Sequence, residues 1–291
     1  MTPQTAILEP IPDHARHLFF DLKPAVDPRP VLQALAAACD GNSAVLGIGA
    51  GAAGALGSAV AGLRGFPELP QAKPAIPATQ HALWLWLRGD EPGELLLQGQ
   101  ALEALAAPAF TLVQAIDSYR YRDVRDLTGY EDGTENPKGD AAVEAAIAQG
   151  QGAGLDGSSF AAVQQWLHDF AAFNAMPRVE QDNCFGRERD SNEELEDAPE
   201  SAHVKRTAQE DFDPEAFVVR RSMPWTAGRD TGLVFLAFGK SFDAYEAQLR
   251  RMTGHDDGIS DALFGFTRPL TGGYYWCPPM AGNAVDLSAL G

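Results

Sequence analysis

The sequence is poor in cysteine, and none of its cysteines forms a closely spaced pair. Cys39, Cys184 and Cys277 lie far apart and are odd in number. Zinc sites and iron–sulfur clusters need cysteines or histidines at short, regular spacings, and disulfide scaffolds need a dense, even set. We therefore expect reduced thiols, with neither a disulfide framework nor a cysteine-ligated metal.

Long apolar runs are also missing. No segment approaches the roughly 18 consecutive apolar residues that a membrane-spanning helix needs. Residues 1–10 have neither the basic start nor the continuous apolar stretch of a secretory signal peptide. These absences predict a soluble, cytoplasmic protein with no membrane partner.

Basic residues are scarce relative to acidic ones. The 291-residue chain has 22 Lys and Arg against 40 Asp and Glu, a formal net charge of −18. Such a surface repels phosphate backbones and anionic lipid headgroups. We expect no nucleic-acid partner.

The first 128 residues alternate between strand and helix patterns. Period-two or bulky apolar runs predict strands at 17–22, 43–49, 82–87 and 110–116, and helical spacing predicts helices at 28–38 and 94–106. The order β-α-β-β-α-β is that of a ferredoxin-like unit. A GxGxxG pattern at 49–54 raises a dinucleotide-binding alternative, but it lacks a clean βαβ unit and a later acidic residue, which favours a close-packed loop or a helix start.

A similar order follows a connection, 129–157, that is rich in glycine and acidic residues. Strands are predicted at 159–168, 217–223, 231–238 and 273–277, helices at 169–187 and 241–252, and an acidic loop at 188–200. We predict an α+β fold of two ferredoxin-like halves with antiparallel β-sheets, divided into residues 1–128 and 129–291.

Four separated segments resemble signatures of the dye-decolourising (DyP-type) haem peroxidase family. GYEDGTENP at 129–137 resembles its GxxDGTENP motif, and SAHVKR at 201–206 resembles its proximal-histidine segment. VRRSMP at 219–224 resembles its distal arginine strand, and 257–267 with 272–275 resemble its C-terminal signature. By itself an Asp-Gly pair such as Asp132-Gly133 predicts a turn. The resemblance covers essentially the whole chain and looks closest to the compact bacterial branch.

The resemblance implies the dimeric α+β barrel-type superfamily, with one haem b per chain in the C-terminal half. It implies that His203 is the axial ligand of the iron and that Asp261 accepts the other ring N–H of His203. Neutral imidazole is a common haem ligand, and a carboxylate behind it raises its basicity. Asp256 and Asp257 are neighbours that compete for the second role.

On the open face of the haem, the resemblance implies Asp132 as the acid–base and Arg220 as the electrostatic stabiliser. Arg221 is adjacent, but on a strand it points to the opposite face. The further residues implied for the distal pocket or for cofactor contact are Ser222, Leu233, Phe235, Gly133, Thr134, Glu135 and Arg187. For Leu233 and Phe235 plain core packing is the alternative, and for Arg187 the alternative to pairing with a haem propionate is a solvated surface position.

The implied function is the reduction of hydrogen peroxide with single-electron oxidation of dye-like or phenolic donors. Haem storage or iron release is an alternative for the same pocket, and a ferredoxin-like binding or oligomerisation module without haem is another. Relatives form dimers or hexamers, so we expect a homo-oligomer. The short apolar end at 284–291 does not support docking in a nanocompartment.

Overall fold

The computed structural model describes residues 1–70, 72 and 74–291. Its strands are β1 (His14–Leu22), β2 (Ala44–Ile48), β3 (Leu83–Gly89), β4 (Phe110–Tyr119), β5 (Ser159–His168), β6 (Val219–Arg220), β7 (Met223–Ala227), β8 (Asp230–Gly239), β9 (Thr267–Pro269), β10 (Gly273–Cys277), β11 (Met280–Ala281) and β12 (Ala284–Val285).

The helices lie between these strands, and the longest of them is in the N-terminal half. They are α1 (Arg29–Ala38), α2 (Ala50–Ala55), α3 (Pro92–Ala106), α4 (Asp140–Ala146), α5 (Phe170–Ala175), α6 (Arg178–Phe185), α7 (His203–Arg206) and α8 (Asp243–Met252). Among the described helices, none is long and apolar enough to cross a bilayer.

Each half of the chain forms one antiparallel sheet with the same strand order. The N-terminal sheet runs β4-β1-β3-β2, and the C-terminal sheet runs β10-β5-β8-β7. In both, the first and third strands of the unit are central, as in a ferredoxin-like fold, with β6 and β7 counting as one interrupted strand. The predicted α+β fold of two ferredoxin-like sheets is confirmed.

The two sheets join at both edges. β2 pairs with β10 through Ile48 and Trp276, and β4 pairs with β7 through Ser118 and Trp225. The result is one closed, barrel-like sheet. Because the halves share this sheet, the division between residues 128 and 129 stays a prediction.

One buried cluster takes side chains from all strands of the closed sheet and fills its interior. Trp84, Trp86, Phe238 and Tyr275 lie at its centre, with Trp84 and Trp86 stacked at 6.4 Å between ring centroids. A second cluster covers the outer face, where α1 and α3 pack on the N-terminal sheet. Strands buried on both faces explain the continuous apolar run of β3.

Two predicted elements are wrong in detail. The helix predicted over 169–187 is two helices, α5 and α6, separated at Met176 and Pro177. Proline lacks an N–H and its ring clashes with the preceding turn, so α5 ends before it.

The strand predicted over 217–223 is likewise two strands, interrupted at Arg221 and Ser222. There the Ser222 Oγ accepts a hydrogen bond from the Leu236 N–H at 3.3 Å, in the place of a backbone carbonyl. The pattern at 49–54 forms the start of α2, as the non-nucleotide interpretation predicts.

Candidate active site

A cavity of about 340 Å³ lies between the outer face of the C-terminal sheet and helices α6, α7 and α8. Cofactor and small-molecule sites typically measure roughly 300–1,000 Å³. The sheet contributes residues of β5, β6 and β8, and the loop at 130–135 forms part of the rim. The apolar part of the wall includes Phe185, Leu233, Phe235, Leu249, Met252, Leu263 and Phe266.

His203 and Asp261 meet at the helical wall of this cavity. The His203 Nδ1 lies 2.7 Å from the Asp261 Oδ2, and the Asp261 side chain is fully buried. An ionised carboxylate only accepts, so the Nδ1 carries the hydrogen and donates it. Among the described residues, this is the one hydrogen bond recorded for the His203 ring, which leaves the Nε2 available to a ligand.

Backbone contacts hold this pair in place. His203 is the first residue of α7, and the preceding Ser201 carbonyl accepts from the Ala262 N–H at 2.8 Å. The other oxygen of Asp261 accepts from the Leu263 N–H at 2.9 Å and so caps a short 3-10 helix. The imidazole orientation is therefore fixed by contacts that do not depend on any cofactor.

Asp132 and Arg220 meet at the sheet side of the same cavity. Their nearest oxygen and nitrogen atoms, Asp132 Oδ1 and Arg220 Nη1, are 3.8 Å apart, and both side chains are about four-fifths buried, with 19% and 18% exposed. Arg221 points the other way, and its guanidinium donates to the Leu8 carbonyl at 2.8 Å. The expected choice of Arg220 over Arg221 therefore agrees with the direction of the two side chains.

The mouth of the cavity carries a network of charged residues. Arg187 donates to Glu135 at 2.6 Å and lies 3.2 Å from Glu194. Asn192 donates to Thr134 at 3.0 Å and to Glu131 at 2.8 Å. Thr134, Glu135 and Arg187 all line the cavity. Arg187 is thus neither a free surface residue nor an unpaired cation, because two carboxylates hold it.

The remaining expected site residues divide into two groups. Leu233 and Phe235 lie on the cavity wall. Ser222 is buried with its hydroxyl bonded to the β8 backbone, and it is not among the cavity-lining residues described above. Gly133 adopts a left-handed φ of +82°, and a Cβ there would lie 2.6 Å from the Asn136 Nδ2, so glycine shapes the loop rather than the wall.

Sequence reasoning missed a second histidine–carboxylate pair in the cavity, formed by His168 and Asp126. The His168 Nε2 lies 3.0 Å from the Asp126 Oδ2, and its Nδ1 lies 2.7 Å from the Thr267 hydroxyl. Burial alone would raise the pKa of Asp126, but hydrogen bonds with His168 and Thr128 outweigh burial and lower that pKa below its usual value. Both ring nitrogens of His168 are occupied, which leaves His203 as the better candidate ligand.

Asn136 is a further residue that sequence reasoning missed, because it lies in the motif at 129–137 but carries no chemistry that the motif alone explains. Its side-chain amide bonds the backbone of Arg220. Only strand pairing brings β6 to this loop, so the sequence carries no local signal for the contact.

Comparisons with known proteins match this chain to one family. A family model described as "Dyp-type peroxidase, C-terminal" matches residues 123–282. A dye-decolorizing peroxidase of Mycolicibacterium paratuberculosis is 32% identical over 222 residues, which cover 74% of this chain and 63% of that protein. One of Rhodococcus erythropolis is 30% identical over 246 residues, which cover 82% of this chain and 72% of that protein.

Two mycobacterial relatives are longer than this chain, and the matched regions span 63% and 66% of their lengths. Among solved structures, a variant of DypB from Rhodococcus jostii in complex with haem superposes with a TM-score of 0.86 at 26% identity, covering 94% of this chain and 95% of that one. The matches extend over the strands and loops that build the cavity. The chain belongs to the dye-decolorizing peroxidase family.

Proposed function

We propose that this protein is a haem-dependent peroxidase that reduces hydrogen peroxide and oxidises dye-like or phenolic donors one electron at a time. One observation carries the proposal. A single cavity holds His203, backed by the buried Asp261, on its helical wall, and Asp132 with Arg220 on its sheet wall. A peroxidase needs these two sets of residues together.

The residues present fit one haem b per chain. His203 offers a free Nε2 in a fixed orientation, and the apolar wall with Leu233, Phe235 and Leu249 suits a flat hydrophobic macrocycle. The related DypB structure in complex with haem supports this choice. Haem, when bound, supplies the iron that takes up peroxide and stores oxidising equivalents.

Asp132 is proposed to carry the proton. An ionised Oδ1 takes the proton from one peroxide oxygen and returns it to the other, which then leaves as water. The Arg220 guanidinium stabilises the negative charge that develops on the leaving oxygen. Asp261, by accepting from the His203 Nδ1–H, increases the basicity of the Nε2.

Peroxide turnover is favoured over haem storage or iron release by the Asp132–Arg220 pair. Neither storage nor release needs a proton carrier held beside a cation. Assembly into dimers or hexamers, the aromatic donor and a cytoplasmic location stay predictions.

Stopped-flow measurement of the Soret band after peroxide addition tests the function. Wild-type protein loaded with haem should react, and Asp132→Asn should lower the second-order rate constant by about 10²–10⁴-fold. Arg220→Ala should lower it by on the order of 10²–10³-fold. Asp140→Asn, an exposed carboxylate at the start of α4, is the control and should react like wild type. Haem-loaded Asp132→Asn protein with an unchanged rate would remove Asp132 from the mechanism.

A further inference from the structure

The side chain of Asn136 pairs with the backbone of Arg220 as a neighbouring strand would. The Arg220 N–H donates to the Asn136 Oδ1 at 2.7 Å, and the Asn136 Nδ2 donates to the Arg220 carbonyl at 3.0 Å. β6 has only two residues and lies at the end of the strand order, with β8 on its other side. Asn136 therefore provides hydrogen-bond partners for both the backbone N–H and the backbone carbonyl of Arg220 at this strand edge.

The loop that carries Asn136 also carries Asp132, and it is tightly folded. The Asn136 N–H donates to the Gly133 carbonyl at 3.0 Å, which closes a turn, and the Asp132 N–H donates to the Val124 carbonyl at 2.9 Å. A Cβ at position 133 would lie 2.6 Å from the Asn136 Nδ2, so the glycine makes room for the amide. The turn thus fixes Asp132 relative to Asn136.

No hydrogen bond to a described residue fixes the guanidinium of Arg220. Among the described residues, its recorded side-chain polar contact is the 3.8 Å approach to Asp132, which is longer than a hydrogen bond. The position of the guanidinium therefore depends on where the backbone of β6 lies. Asn136 links that backbone directly to the loop of Asp132. Gln209 adds a second bridge, from the Glu135 carbonyl to the Val218 N–H just before β6.

We propose that Asn136 is a positioning residue that sets the distance between the Asp132 carboxylate and the Arg220 guanidinium. The proposal rests on the peroxidase function proposed above. The two hydrogen bonds use both polar atoms of the amide, so they fix the loop and β6 in one relative position. A displacement of about 1 Å at a reacting group can cost roughly 10²-fold in rate, so loss of the amide should affect the peroxide step strongly.

A double-mutant cycle in the haem-loaded, full-length protein tests this. Asn136→Ala should lower the peroxide rate constant by about 10–100-fold with haem occupancy unchanged. In an Arg220→Ala background the same change should cost less than about twofold, because the cation that Asn136 positions is already gone. Asn174→Ala, an exposed asparagine on α5, is the matched control and should leave the rate unchanged.

Hydrogen exchange of the Arg220 backbone amide provides a readout independent of activity. In wild type this amide is bonded to the Asn136 Oδ1, so Asn136→Ala should accelerate its exchange, and Asn174→Ala should not. Asn136→Asp keeps the acceptor and should retain the protection. If Asn136→Ala does not fold, Asn136→Ser replaces it, because the serine side chain is too short to reach both backbone groups of Arg220 and should accelerate the exchange in the same way.

Two results would overturn the positioning role: equal rate losses for Asn136→Ala in both backgrounds, or unchanged exchange of the Arg220 amide. Absence of any peroxide reaction in wild type would instead remove the proposed function. In that case the amide exchange alone decides whether Asn136 holds the Arg220 backbone.

Discussion

The two halves of the molecule share one strand order but use the outer faces of their sheets differently. In the N-terminal half, Leu32 and Leu35 of α1 and Leu95 and Leu102 of α3 are at most 5% exposed and seal the sheet. In the C-terminal half, part of the corresponding face of β5 and β8 lines the cavity, and the rest is buried in the same core. The same topology supports a dry core in one half and a candidate site in the other.

The difference arises from the segment that follows the first strand of each unit. In the N-terminal half this segment is the continuous α1. In the C-terminal half, Pro177 breaks it into α5 and α6, and a long acidic loop precedes the four-residue α7. These short pieces stand away from the sheet and carry His203. A fold therefore does not define a site, since the covering segments decide whether space remains.

Removal of the His203 imidazole is expected to have the largest effect on haem binding and peroxidase activity. Removal of the corresponding histidine in the N-terminal half should have none. His203→Ala should change the Soret spectrum of the haem-loaded protein and lower peroxidase activity by at least about 100-fold, because the axial bond is lost. The N-terminal half contains a matched pair, His81 and Asp21, with His81 Nδ1 2.8 Å from Asp21 Oδ1. His81→Ala should bind haem normally. A five-coordinate, fully active His203→Ala protein would contradict the ligand assignment.

Truncation of one leucine in each half contrasts the sealed face with the open one. Leu85 is fully buried under the N-terminal helices, so Leu85→Ala should lower the free energy of unfolding by about 2–5 kcal/mol. Leu233 borders the cavity and is only partly buried, so Leu233→Ala should cost less than about 1.5 kcal/mol. Denaturant unfolding of the haem-free proteins measures both. Equal losses would show that the two faces are packed alike.

Neutralisation of the carboxylate behind each paired histidine is expected to give a smaller effect. Asp261→Asn should lower haem affinity or peroxide turnover by about 10–100-fold, because an amide no longer increases the basicity of His203. Asp21→Asn is the matched change in the N-terminal half, and its haem titration should follow that of wild type. If Asp261→Asn binds haem and turns over peroxide as wild type does, the Asp261 carboxylate has no role in supporting His203.

The pH dependence of stability should show the smallest effect, and it concerns Asp126 at the cavity wall. Its pKa in the folded protein lies below that of an unfolded chain, about 3.9. A depressed pKa contributes stability above the unfolded value, and that contribution is lost as the pH falls through the folded value. Unfolding free energies measured below about pH 4 should therefore fall more steeply for wild type than for Asp126→Asn. Parallel curves would argue against the lowered pKa.

Much of the architecture could be predicted because it follows from local patterns. β5 and β10 lie where alternating or bulky apolar residues predict them, residue for residue. The split of the 169–187 helix at Pro177 was predictable in principle from the proline itself. The interruption at Ser222 was not, because it depends on a hydroxyl that bonds to the Leu236 N–H across the sheet.

The site also contains residues that the sequence indicated and residues that it did not. The resemblance singled out Asp132, His203, Arg220 and Asp261. The structure brings the first three to one cavity, with Asp261 buried behind His203. The pair of His168 and Asp126 could not be predicted, because 42 positions separate the two residues and neither of them belongs to a motif. Asn136 and Arg220 are 84 positions apart, and they meet only when the C-terminal half folds.

By itself the sequence determined the order of strands and helices in each half, and the resemblance of its motifs to a family singled out Asp132, His203, Arg220 and Asp261. Periodicity and motif spacing are local properties, so single segments carry them. The tertiary structure decided which sheet face stays open and which histidine keeps a free nitrogen, and it placed an amide against Arg220. Those outcomes depend on how the helices and loops of the C-terminal half pack against β5, β6 and β8, which brings segments that are far apart in the sequence within a few ångströms of each other.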